Sequence, residues 1–129
     1  MGSPLFTLWE MPSAYIVRYG DTHEGNLNES GRQAAEAIHN FFEWQPVGRV
    51  ICSDVPAAYA TAQYILNTGN VACPFVATIP DLEHRVSEFA QEPYEELPTV
   101  MVIRDEQSIV PGGVVAIYGD VRVTRLGAI

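Results

Sequence analysis

Within the first 80 residues the hydrophobic pattern switches between strand-like and helical period four times, and this alternation restricts the fold more than any other feature. Residues 14–18, Ala-Tyr-Ile-Val-Arg, form a short β-branched and aromatic run behind Pro12 and Ser13, and a turn-rich stretch from Gly20 to Asn26 follows. Residues 31–43 then take helical spacing. Ala34, Ala35, Ile38, Phe41 and Phe42 share one face, and Arg32, Glu36, Asn40 and Glu43 share the other. Ser30 with Gln33 fits an S-x-x-Q capping box, Asn28 competes as the cap, and Pro46 stops the helix. Val50 to Ser53 is a second strand. Asp54 with Pro56 opens a second helix with an apolar stripe of Ala58, Ala62, Ile65 and Leu66, and Gly69 stands as its C-terminal cap. Phe75 to Ile79 is a third strand ending at Pro80. Strand, helix, strand, helix, strand predicts an α/β fold with helices packed on a mainly parallel sheet.

From residue 98 the texture changes. Thr99 to Ile103 is strand-like, and Gly113 to Tyr118, a Gly-Asp turn and Val121 to Leu126 read as a β-hairpin. No helical pattern follows residue 97. Glu88, Glu92, Glu95 and Glu96 form an acidic patch that reads as a solvated face. No repeat or linker divides the chain, so residues 1–129 are expected to form one domain. Residues 1–12 are its N-terminal extension, and Met1, Gly2 and Ser3 fit a cloning scar.

Composition narrows the partners. The chain carries 16 acidic residues against seven basic ones, all arginine, for a net charge of -9. Nucleic acid and anionic membranes need clustered cations, so neither is an expected partner. No apolar run reaches the ~18–20 residues of a membrane span, and the N-terminus lacks the basic and apolar regions of a secretory signal. Cys52 and Cys73 read as buried free thiols of a reducing compartment, which predicts a cytoplasmic protein. His23, His39 and His84 lack metal-ligand spacing, and no metal or cofactor is expected.

In α/β sheets ligands bind at the carboxyl edge, which directs attention to residues 18–30 and 53–57. The first loop begins Ile16-Val-Arg-Tyr-Gly-Asp-Thr22 and continues into Leu27-Asn-Glu-Ser-Gly-Arg-Gln-Ala34; the second is Ser53-Asp-Val-Pro-Ala-Ala-Tyr-Ala-Thr-Ala62. Together these resemble the histidine phosphatase (phosphoglycerate mutase-like) superfamily. Its first strand ends Arg-His-Gly-acid/Gln-Thr, and its first helix opens Leu-Thr-x-x-Gly-x-x-Gln-Ala. Its second strand runs into Ser-x-Leu-x-Arg-Ala-x-x-Thr-Ala. Asp81 to Arg85, residues 100–109 and the final hairpin resemble later segments of the same family, so the likeness runs from about residue 14 to 127.

The resemblance implies a neutral histidine that attacks phosphorus, a second histidine and two arginines that hold the phosphate, and an acid that protonates the leaving group. Arg18 is retained, but Tyr19 stands at the nucleophile position and Ala57 at the second arginine. The second histidine aligns with Asp105, beside Arg104, or else with Tyr118; the acid falls on His84, with Glu83 one residue out of register. The helix the family places after residue 109 is not legible, so the resemblance is to a shortened, degenerate member.

The residues implied for a vestigial phosphate pocket are Arg18, Tyr19, Thr22, Asn26, Ser53, His84 and Asp105. Each has a plainer reading. Arg18 would neutralise Asp21 or Asp54, Tyr19 would be a packed aromatic, Thr22, Gly25 and Asn26 would be turn residues, and His84 a surface histidine. The expected function is that of a non-catalytic binding or regulatory protein. Its partner would be another protein, a second copy of itself, or a small phosphorylated ligand or phosphate. Two alternatives stand beside it: a phosphomonoester hydrolase with an atypical nucleophile (Tyr19, Asp21, His23 or His84), and a structural, self-associating protein.

Overall fold

The structure, a computed structural model, describes residues 14–90, 94–104, 113–118 and 121–126. Its central strand is β1 (Ala14–Arg18), which pairs in parallel with β6 (Thr99–Ile103) on one side and antiparallel with β8 (Val121–Leu126) on the other. Next to β6 lies β4 (Arg49–Cys52), and β5 (Val76–Thr78) forms the edge, both parallel. The hairpin partner β7 (Gly113–Tyr118) completes the order β5-β4-β6-β1-β8-β7. Four strands are thus parallel, as the alternating pattern predicts, and of the closing hairpin β8 runs against them while β7 returns in their direction.

Both faces of the parallel part are covered, which is why its strands read as nearly unbroken apolar runs. Side chains alternate at period two between two clusters. Tyr15, Val17, Val50, Cys52, Val100 and Val102 point to the face that carries α1 (Glu29–Phe42) and α2 (Pro56–Leu66). Ala14, Ile16, Ile51, Met101 and Ile103 point to the opposite face, where Leu82, Val86 and Phe89 close over them. That second cover is a 3-10 turn at Leu82–His84 and a short helix α3 (Val86–Ala90), neither of which hydrophobic periodicity reveals. Tyr15, Phe41 and Phe42 pack edge to face where α1 meets the sheet.

Several boundaries differ from the sequence reading for identifiable reasons. Helix α1 begins at Glu29 and ends at Phe42, with Asn28 rather than Ser30 as its cap: Asn28 Oδ1 accepts from the Gly31 N–H at 2.8 Å. Asn28 wins because it does a second task, its side-chain amide donating to Asp21 Oδ2 at 2.7 Å and its backbone N–H to the Asp21 carbonyl at 3.1 Å. Asp54 does not cap α2. Val55 is the N-cap residue without a side-chain bond, and the Ala57 N–H donates instead to the Gly25 carbonyl at 3.1 Å. Gly69, at φ +74°, closes the turn after α2, its N–H donating to the Leu66 carbonyl.

The loop after β1 holds a small hairpin, β2 (Thr22–His23) and β3 (Asn26–Leu27), turned through Glu24 and Gly25, both at positive φ. Within the acidic patch, Glu88 pairs with Arg85 at 2.6 Å, and Glu95 and Glu96 are exposed on a tight turn. Glu92 and the N-terminal extension lie outside the described residues. Among the described residues no helix is long and apolar enough to cross a membrane.

Gly31 is the tightest joint between loop and helix. A Cβ there would stand 2.2 Å from the Asp21 carbonyl oxygen, a backbone atom that cannot swing aside. Gly31→Ala is therefore expected to push the 19–22 loop off α1 and cost about 1–3 kcal/mol, read as a lower urea midpoint with an unchanged m-value.

Candidate functional site

Parallel pairing carries the carboxyl ends of β1, β4 and β6 to one edge. Arg18 is opposite Ile103 in the β1–β6 register, and the Tyr19 N–H extends the ladder to the Ile103 carbonyl at 3.3 Å. The next residues, Tyr19 and Arg104, therefore leave the sheet side by side. On the other flank of β6 the Ser53 N–H donates to the Val102 carbonyl at 3.0 Å. Above this edge opens a cleft of about 400 Å³, lined by Arg18, Tyr19, Gly20, Asp21, Thr22, Gly25, Val55 and Arg104. The β2–β3 turn forms one wall, held by its bond to α2, and the Asn28-bound Asp21 forms another.

The structure thus brings three of the expected residues, Arg18, Tyr19 and Thr22, into one cleft. Ser53 is buried beneath it, 3 % exposed, and its Oγ donates to Glu83 Oε1 at 3.1 Å. Asn26 is exposed and donates to the Glu24 carbonyl, outside the lining. His84 is not brought in. Its ring is exposed and stands 3.7 Å from Asp81 Oδ1. The acid that reaches the site is Glu83, one residue earlier, because the 3-10 turn points it back at Ser53 and at the Arg104 N–H, 3.4 Å from Oε2. Asp105 and the segment to residue 112 lie outside the described residues.

Arg104 is the residue that sequence comparison undervalues. The β1–β6 ladder, which ends with Arg18 opposite Ile103, sets Arg104 beside Tyr19. Two arginines, Arg18 and Arg104, therefore line the cleft. Among the described residues neither is taken up by an ion pair or side-chain hydrogen bond, and Arg18 forms no ion pair with Asp21 or Asp54. Asp21 instead accepts from Asn28.

Tyr19 is half-buried and packs against the cluster of Leu27, Ala35 and Ala57. Burial pushes its phenol above the ordinary 10.0; Arg104 pulls the value down, Glu83 raises it, and Arg18 pulls it down again. Ala57 is 1 % exposed, enclosed by that same apolar cluster, so its position offers no opening for a long cationic side chain. The remaining histidines pair elsewhere, His23 with Glu24 and His39 with the Tyr64 carbonyl and Glu43. Among the described residues no group of His, Cys, Asp and Glu is placed to hold a metal ion. Cys52 is buried in β4, where burial pushes its thiol up. Cys73 is only half-buried, because it lies before the edge strand rather than inside the sheet.

A family model for the histidine phosphatase superfamily (branch 1) matches residues 11–106, most of the chain, and the protein belongs to that superfamily. A search of curated proteins returned no significant match.

The raised phenol has a measurable consequence. The folded state holds the Tyr19 proton more tightly than the unfolded chain, so the stability this contributes is intact below pH 10. It is lost as pH climbs from there through the folded-state value. Denaturation midpoints above pH 10 should therefore fall less steeply in Tyr19→Phe than in the wild type, once both are referenced to pH 8.

Proposed function

We propose that this chain is a non-catalytic member of its superfamily, a binding or regulatory protein whose cleft holds an anion presented by a partner. The observation that carries the reading is Tyr19, packed and half-buried where the family resemblance calls for a histidine nucleophile. An ordinary phenol is ionised in only about one molecule in a thousand at pH 7, and burial of Tyr19 lowers that fraction further. Neither attack on phosphorus nor storage of a phosphoryl group follows from such a residue, and no imidazole lines the cleft.

Ala57 supports the same reading. Removing one preorganised donor from a transition-state clamp typically costs about 3 kcal/mol. Here the position is filled by a methyl group inside an apolar cluster. Glu83 keeps a carboxylate near the cleft, yet its two oxygens accept from Ser53 and the Arg104 N–H, a bracing arrangement that requires no proton transfer. What survives suits binding: two arginines, a phenol that stays a donor, and a rigid backbone floor.

Purified protein incubated with p-nitrophenyl phosphate across pH 5 to 9 is expected to release phosphate no faster than buffer. Steady turnover that Arg18→Ala abolishes would overturn the proposal and favour a phosphomonoesterase with an atypical nucleophile.

A further inference from the structure

We propose that Arg104 and Arg18 form a two-guanidinium clamp for a carboxylate, with the Tyr19 hydroxyl as a third donor. This rests on the binding reading of the cleft and gives its ligand a chemical class. Both arginines line the same cleft, and among the described residues neither guanidinium has an intramolecular partner. A guanidinium presents a planar fork of donors that matches a carboxylate in bidentate fashion, so two of them facing one cleft are a recognisable receptor for that group.

The choice of a carboxylate over a phosphate dianion follows from the charges around the cleft. Asp21 lines it, and Glu83 stands directly beside Arg104, bonded to its backbone. Among the described residues two cations are therefore offset by two carboxylates, which leaves a weak net field. Such a field repays the dehydration of a singly charged ligand far better than that of a doubly charged one. Nor does α2 supply a cation. The α2 position nearest the hairpin is Ala57, sealed under Leu27 and Ala35. The strongest donors are consequently both at the β1–β6 edge, from adjacent strand ends, rather than distributed around a tetrahedral anion.

The test is an amide chemical-shift titration of the full chain with three probes at matched ionic strength. They are sodium acetate, a peptide with blocked termini carrying one glutamate, and inorganic phosphate. Acetate and the glutamate peptide are expected to move the amides of residues 19–22 saturably, with phosphate about tenfold weaker. A peptide that binds more tightly than acetate assigns the ligand to a protein side chain; equal binding assigns it to a small organic acid. Arg104→Ala and Arg18→Ala should each weaken carboxylate binding about tenfold. Arg104→Lys, which keeps the charge but not the fork, should fall between them and the wild type, and amide dispersion reports whether each variant is folded. Phosphate saturating below the carboxylates, an unchanged titration in Arg104→Ala, or no response to any probe would each overturn the clamp. Phosphate release from p-nitrophenyl phosphate is a separate readout, so a catalytic wild type would refute the non-catalytic reading while leaving the titration interpretable.

Discussion

The parallel ladder between β1 and β6 is the contact on which the rest of the molecule depends. It joins two segments separated by most of the chain, and every buried side chain of the two strands is committed to one face or the other by its register. A slip of one residue would exchange the two faces and drive Tyr15 and Val17 away from the helices they pack against. The same register also sets the chemistry of the edge, because the residues just past the ladder, Tyr19 and Arg104, inherit their proximity from it. Core packing and cleft composition are thus consequences of one pairing.

Two small tethers convert that edge into a cleft. Asn28 caps α1 and grips Asp21 with the same side chain, so formation of the helix and placement of the loop are one event. The Gly25 carbonyl takes the Ala57 N–H, so the β2–β3 turn substitutes for the side-chain cap that α2 lacks. In both cases a helix terminus with unsatisfied N–H groups is completed by the loop that forms a cleft wall. Two walls of the cleft are thus tied to the helices by hydrogen bonds.

The residues at the site are linked by volume as well as by charge. A tyrosine at position 19 is larger than an imidazole, and its ring rests on the apolar cluster that includes the Ala57 methyl. A long cation at position 57 would compete for the space that Tyr19, Leu27 and Ala35 fill. Arg104 lines the same cleft from the end of β6.

The sequence by itself determined the parallel α/β core. Strand and helix periods are local properties of the chain, so the strand at residues 14–18, the stripe of α1 and the closing hairpin were all legible from spacing. It also marked the carboxyl-edge loops, and Arg18, Tyr19 and Thr22 within them, because those residues sit at the ends of recognisable strands. Only the tertiary structure decided that Arg104 stands beside Tyr19, that Glu83 rather than His84 turns inward, and that Asn28 rather than Ser30 caps α1. Each of these is a choice between neighbouring residues of similar local propensity. The contact that settles it comes from β1, Ser53 or Asp21, a distant partner that no pattern within one segment contains.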